Sequence, residues 1–283
     1  MIATVAKRLV TLERLIDRID TSAPPQWASP TAMAVDVGIE LDHWQRRVLA
    51  STSLRVIMKG PRQVGKSTVS GLLSLHTALT KPESLVLLIA PSNDQSKELA
   101  RTVRIMASRL GLATMERTET VAPTLLSASR IEFASGSRII ALPGRSEASV
   151  RGYGAPDLVV CDEASRIPEE TYGAIRPMLV ASPNGRLILL STPYLKAGTF
   201  YRTWTGTEDS WERVEIATAD CPRLSPQYLA QERAELPFWV YAREYLGEFS
   251  DDETTLFSSE LIAAAMDDTL EPLFLEDSDA SNS

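Results

Sequence analysis

Seven short apolar runs recur along the middle of the chain, and helical periodicity fills most of the intervals between them. The runs at 54–58, 84–90, 131–134, 139–142, 158–161, 186–190 and 214–217 have the length and composition of strands buried on both faces. Amphipathic spacing predicts helices over 67–80, 94–110, 169–180, 198–204, 226–235 and 239–245. Strands alternating with helices predict an α/β fold with a mostly parallel central sheet flanked by helices. Residues 130–142 hold two of the strands around Ser135-Gly136-Ser137, which reads as a hairpin beside that sheet. Near the start, Ile2, Val5, Leu9, Leu12, Ile16 and Ile19 repeat at spacings of three and four, predicting an amphipathic helix over 3–20. That helix either packs on its own domain or offers a short docking seam to a partner. Residues 21–30, with three prolines, read as a linker. The resulting division is a helical segment over 1–22, a linker over 23–30, one α/β domain over 31–250 and a tail over 251–283, disordered at its end.

Composition narrows the class. A chain of 283 residues that is 44% hydrophobic and 23% charged can bury a large α/β core, as soluble globular proteins do. No apolar run approaches the roughly 18 residues of a membrane span, and no signal-peptide core is visible. Two cysteines, Cys161 and Cys221, fit a reducing intracellular setting. With only His43 and His76 present, a zinc hydrolase is a poor reading. The net charge of −8 is concentrated in the tail, where 251–283 holds ten acids and no Lys or Arg, so residues 1–250 sum to +2. Such a body neither excludes DNA as a partner nor argues for it.

The candidate chemistry starts directly after the first strand. Gly60-Pro61-Arg62-Gln63-Val64-Gly65-Lys66-Ser67 reads G-x-x-x-x-G-K-S between an apolar run and a helix. Strand, glycine-hinged loop and helix start together aim successive backbone N–H groups and the helix dipole at one spot, a cradle for the phosphates of a nucleoside triphosphate. Lys66 would reach the β/γ-phosphates and the Ser67 hydroxyl would ligate Mg²⁺. Downstream, the strand Leu158-Val159-Val160-Cys161 ends in Asp162-Glu163. Hydrolysis needs one carboxylate near Mg²⁺ and another to orient and deprotonate water; Asp162 and Glu163 supply that pair. A small-molecule kinase seldom needs the second acid, so the pattern points to an ATPase.

Further positions carry a functional and a plain reading side by side. Ser191-Thr192-Pro193 ends another strand at the ligand edge of a parallel sheet, where Thr192 could sense the γ-phosphate, or form an ordinary turn. Gln45 could pair with the adenine edge beside Trp44, in a helix start that Asp42 caps. Arg145 and Arg151 lie on glycine-flanked loops before the Asp-Glu strand; either could stabilise transition-state charge, in cis or on a neighbouring subunit, or contact solvent or DNA.

Taken in order, Trp44-Gln45, Gly60 to Ser67, Arg151-Gly152, Leu158 to Ala164, Ser191-Thr192-Pro193 and the stretch from Asp220 to Phe249 resemble the ATPase domain of a tailed-phage terminase large subunit. The resemblance covers about residues 30–260 and rests on order and spacing rather than on any single motif. It implies a P-loop NTPase of the RecA/ASCE-like class that drives double-stranded DNA into a procapsid with ATP and Mg²⁺. It implies that Gln45 contacts adenine, that Lys66 and Ser67 bind phosphate and metal, and that Asp162 holds metal. It further implies that Glu163 activates water and that Thr192 couples hydrolysis to movement. Arg62 matches an arginine that the family places inside the loop, and Arg151 one that acts on a neighbouring subunit's ATP. Implied partners are double-stranded DNA, a portal protein and a small terminase subunit, within a ring-shaped homo-oligomer in the host cytoplasm and away from membranes. Family members usually continue into an RNase H-like nuclease; here about thirty residues follow Phe249, too few for one. The nuclease is then a separate chain or has been removed, and no cleavage of DNA is expected from this one. Two other readings stay open: a helicase-like DNA-dependent translocase, which would want a second RecA-like domain, and a nucleotide-gated assembly factor without motor activity.

Overall fold

The computed structural model describes residues 27–112 and 123–251. The predicted N-terminal helix, most of the linker and the acidic tail with its short helix lie outside the described residues. Eight strands form one sheet in the order β3-β4-β5-β2-β6-β7-β1-β8. They are β1 (Arg55–Lys59), β2 (Leu85–Ala90), β3 (Pro123–Leu126), β4 (Arg130–Phe133), β5 (Arg138–Pro143), β6 (Leu158–Asp162), β7 (Arg186–Ser191) and β8 (Glu212–Glu215). From β5 to β8 every pairing is parallel, as the unbroken apolar runs require of strands covered on both faces. β3 and β4 add an antiparallel edge. The hairpin is therefore not beside the sheet. Its second strand, β5, pairs with β2 in parallel, and the hairpin extends the sheet.

Alternation along each strand divides the core in two. Val56 and Met58, Val86 and Leu88, Leu158 and Val160, and Ile188 and Leu190 face one layer. That layer is built from α1 (Pro30–Val37), α2 (His43–Ala50), α3 (Lys66–Thr80) and α4 (Asn93–Arg109). Ile57, Leu87, Ile89, Val159, Cys161 and Leu189 face the other, covered by α5 (Glu169–Val180) and α6 (Gly198–Thr205) through Tyr172, Ile175, Leu179 and Phe200. The described residues close with α7 (Pro226–Glu235), α8 (Phe238–Tyr241) and one π-helical turn, Ala242–Leu246.

Three elements depart from the sequence reading. Helix α1 has no counterpart in it, and the folded body reaches back into the stretch read as linker. Trp27 is buried and donates its indole N–H to Asp36 at 2.7 Å. Pro30 is the first residue of the helix behind the N-cap Ser29, a position where its missing N–H costs nothing, so a proline that reads as a breaker is a starter. β3 escapes the pattern because an edge strand with exposed Leu125 and Leu126 has no buried face to write into it. The helix expected at 239–245 is α8 followed by the π turn, in whose last residues the Glu244 carbonyl accepts the Arg62 N–H at 3.0 Å.

Leu88, fully buried at the centre of the sheet, supplies a direct test of this packing. Leu88→Ala should lower the unfolding free energy by about 3 kcal/mol, whereas Val180→Ala at an exposed helix end should change it by less than about 0.5 kcal/mol. Chemical denaturation of the two variants measures the contrast.

Candidate active site

Three parallel strands deliver the site. β1, β7 and β6 are neighbours, with Lys59 level with Ser191 and Asp162 level with Leu190, so their C-terminal ends open on one edge of the sheet. That is where ligands bind in open α/β sheets. The loop from Gly60 to Gly65 follows β1, and Gly65 at φ +90° caps α3, a left-handed conformation that glycine adopts without strain. At Gly60 even a methyl group would meet the Ile216 Cβ at 2.7 Å, so the loop can leave the strand only over a glycine.

Lys66 is 7% exposed, and its ammonium donates to the Gly60 carbonyl at 3.2 Å, the Pro61 carbonyl at 2.6 Å and the Thr192 hydroxyl at 3.0 Å. Burial lowers its pKa, while the Glu163 and Asp162 carboxylates pull it back up. Asp162 behaves in the opposite sense. Burial, and then the neighbouring Glu163, push its carboxyl up to about 6, against the Glu163 N–H, Lys66 and the Ser67 hydroxyl, which lies within hydrogen-bonding reach. The Glu163 N–H donates to Asp162 Oδ1 at 2.9 Å. Glu163 itself sits at φ 48°, a left-handed conformation that costs a non-glycine residue on the order of 1–2 kcal/mol. Its surroundings hold it there. Ser165 bonds the Ser191 hydroxyl at 2.8 Å and the Thr192 carbonyl at 2.9 Å, and Tyr172 donates to the Ala164 carbonyl at 2.6 Å.

An open cleft of about 430 Å³ lies over this edge, lined by residues 62–68 together with Gln95, Asp162, Glu163 and Arg166. Arg62, Gln63, Val64, Gly65, Lys66, Ser67, Asp162 and Glu163 are thus gathered at one place. Gly60 and Pro61 form the loop's root, and Thr192 reaches the cleft through Lys66. Gln45 stands just behind the loop. It is buried, accepts the Asp42 N–H at 2.9 Å and donates to the Gly65 carbonyl at 3.2 Å, so the N-capping role of Asp42 holds. Arg151 is outside the cleft, exposed and paired with Glu147 at 2.8 Å.

Four participants go unread in the sequence. Gln95 is visible in hindsight as the last letter of a Ser92-x-x-Gln95 capping box that opens α4 after β2. Arg223 bridges Asp42 at 2.6 Å and the Val64 carbonyl at 2.8 Å, and Glu244 pairs with Arg62; both lie in the stretch that carries the family resemblance, but nothing near them in sequence assigns them to this loop. Arg166 follows the acidic pair by three positions and belongs to none of the motifs read in the sequence.

Among the described residues no cluster of three or more His, Cys, Asp or Glu could hold a metal by itself. The Ser67 hydroxyl against the Asp162 carboxylate suits Mg²⁺, which takes one or two protein oxygens and completes its shell from phosphate and water.

The profile of the N-terminal part of T4likevirus-type terminase large subunits matches residues 57–264, well over half of the chain. The chain belongs to the terminase large-subunit family. Its backbone is similar to the large terminase ATPase domain of Thermus phage P74-26, with 22% identity and a TM-score of 0.64 over 76% of this chain and 96% of that one. It is also similar to the large terminase of a thermophilic bacteriophage in complex with ADP (16% identity, TM-score 0.60, 74% of this chain and 54% of that one). The bacteriophage HK97 large terminase is a further match (14%, 0.61, 75% and 51%). The chain spans about half the length of the last two. Among curated proteins no sequence matches. At these identities the solved structures carry the fold: the α/β sheet read from the alternation of strands and helices, in the P-loop class that the family resemblance implies.

The raised Asp162 carboxyl makes a prediction about this terminase that needs no substrate. Because the folded protein holds that proton more tightly than the unfolded chain, stability falls as pH rises from about 4 to about 6, and the cost is full above that window. With divalent metal chelated, Asp162→Asn should raise the unfolding free energy by about 1–3 kcal/mol at pH 8. The gain should shrink below about pH 6 and vanish below about pH 4. Denaturant titration of both proteins across that range checks it.

Proposed function

We propose that the chain is the ATP-hydrolysing motor of a phage terminase, moving double-stranded DNA into a procapsid. The observation that carries the reading is the meeting of Lys66, Ser67, Asp162, Glu163 and Thr192 at the C-terminal edge of β1, β6 and β7. Lys66 already donates to three oxygens at the root of the loop, and phosphate oxygens would replace the Gly60 and Pro61 carbonyls as its acceptors. Ser67 and Asp162 would hold Mg²⁺, which when bound supplies charge neutralisation to the β- and γ-phosphates. Glu163, aimed by its left-handed backbone, would take a proton from the attacking water. Arg62 would exchange Glu244 for phosphate. Gln45 and Arg223 flank Val64 and Gly65, and the adenine base would lie beside them.

Thr192 is the reading's link to movement. Its hydroxyl touches Lys66, its carbonyl accepts from Ser165, and two residues on the Tyr194 carbonyl accepts the Ser250 N–H at 2.8 Å. A change at the phosphates therefore has a bonded route to the C-terminal segment. The portal protein, a small terminase subunit, a ring of like subunits and the host cytoplasm as the place of work follow from the same reading.

Lys66→Ala should weaken ATP binding by orders of magnitude, because it removes the buried cation at the root of the cleft. Glu163→Gln should retain Mg²⁺-ATP and lose about 10²-fold or more in turnover, since an amide cannot take the proton. Equilibrium nucleotide binding beside single-turnover hydrolysis separates the two effects. Normal turnover in Glu163→Gln would reduce Glu163 to a structural acid and leave a nucleotide-gated assembly factor as the better reading.

Arg151, outside its own cleft on an exposed turn, is proposed to act on a neighbouring subunit's nucleotide. Arg151→Ala subunits should bind ATP normally and hydrolyse it poorly. Mixing them with Lys66→Ala subunits in the portal-docked assembly should restore part of the activity, since some interfaces then pair an intact loop with an intact arginine. No recovery at any ratio would assign Arg151 to its own subunit or to DNA, and recovery with Arg145→Ala instead would move the role to Arg145.

A further inference from the structure

Two arginines line the cleft, and their electrostatic states differ. Arg62 is ion-paired with Glu244. Arg166 lines the same cleft as Asp162 and Glu163 but makes no ion pair with either of them, or with any other of the described residues. Nor is it a loosely held surface side chain. Its backbone N–H donates to the Glu163 carbonyl at 2.9 Å, closing the turn Ala164–Arg166 that follows the acidic pair. Its guanidinium lies over the Tyr194 ring at 4.1 Å from the centroid. Tyr194 in turn follows Pro193 and is anchored through its carbonyl, which accepts from both the N–H and the hydroxyl of Ser250.

We propose that Arg166 is a substrate-contacting residue of this chain's own cleft, binding the terminal phosphate of a nucleoside triphosphate, with Tyr194 as its positioning residue. The inference rests on the reading that the cleft takes a nucleoside triphosphate. Charge and place support it. A triphosphate brings one more phosphoryl group to the cleft than a diphosphate, and Lys66 lies deep in the loop among carbonyls. A guanidinium without an ion-pair partner, three residues beyond Glu163, stands on the side where the reacting phosphate and its water must lie. An arginine already stacked on a ring has lost part of its freedom before binding, so more of its hydrogen-bond energy goes into contact. Hydrogen bonds from a charged donor to phosphate support a loss of about 10-fold or more when the donor is removed.

The test compares ATP and ADP binding in the presence of Mg²⁺ for the whole chain, with thermal unfolding as the check of folding. Arg166→Ala should weaken ATP about 10-fold or more and ADP less than about twofold, collapsing the preference for triphosphate. Arg166→Lys should recover part of that preference. Tyr194→Ala should reduce it in the same selective way, and Tyr194→Phe should leave it intact, because the stack needs the ring and not the hydroxyl. An equal loss for both nucleotides, or none, in a folded Arg166→Ala protein would overturn the proposal. Lys66→Ala is the control for the reading beneath it. If Lys66→Ala abolishes binding while Arg166→Ala changes nothing, only the role of Arg166 falls; if neither changes nucleotide binding, the cleft is not a nucleotide site.

Discussion

The site depends on a lysine that has to remain charged inside the protein. Lys66 is buried beneath the loop that precedes it, and an ammonium without acceptors there would cost several kcal/mol. The fold meets that demand by turning the Gly60 and Pro61 carbonyls inward and bringing Thr192 across from the neighbouring strand. Each solution has a sequence consequence. The chain can turn its carbonyls inward only by leaving β1 over a residue without a side chain, because Ile216 just beyond the next strand crowds Gly60. Thr192 can reach only because β7 lies directly beside β1 and ends at the same level. A sheet of another order would leave the ammonium short of an acceptor.

The same loop is held from its other side by the C-terminal segment. The Lys59 ammonium donates to the Gly247 carbonyl at 3.0 Å and pairs with Glu215 at 2.6 Å. Gly247, at φ +68°, packs against Gly60, where even an added Cβ would lie only 3.6 Å from the Gly60 backbone. Glu244 takes the Arg62 backbone N–H with its carbonyl and the Arg62 side chain with its carboxylate, and it also binds Arg243 at 3.0 Å. Glu244 can do this because it lies in the last turn before Gly247, where helix carbonyls have no partner within the helix. Loop and C-terminal segment therefore share hydrogen bonds on which neither has a monopoly. In the proposed function, a phosphate that drew Arg62 away would also withdraw a partner from Glu244, giving binding energy a mechanical outlet.

What the sequence makes legible follows a physical rule. Strands buried on both faces announce themselves as apolar runs, and six of the seven runs fall within a residue or so of the strand ends; β8 begins two residues before the run at 214–217. The placement of the glycine loop and of the acidic pair is legible because each is local: eight consecutive residues make the loop, and one strand end carries both acids. Elements without a buried face, such as β3, leave no such trace. Partners supplied by distant segments leave none either. Glu244 lies well over a hundred residues from Arg62, and nothing near either residue names the other. Tyr194 reads in the sequence as a residue after a turn, and only the packing of Arg166 upon it shows why a ring stands there.

The charges at the cleft explain why so much of the fold converges on it. Burial lowers the pKa of Lys66 and raises that of Asp162, so both ionised forms are held against their solvation preference, and Glu163 adds backbone strain and a like charge next to Asp162. A buried lysine and two adjacent carboxylates do not cancel as an ion pair would, because Lys66 gives its protons to the loop and to Thr192. The cleft is thus polarised, with cation donors on the loop side and carboxylates on the β6 side. A lone anion would favour the first and clash with the second. A lone cation would do the reverse. In the proposed function, a group presenting a divalent cation to Asp162 and phosphate oxygens to Lys66 would satisfy both walls at once, and the tension between them would become selectivity for that combined ligand.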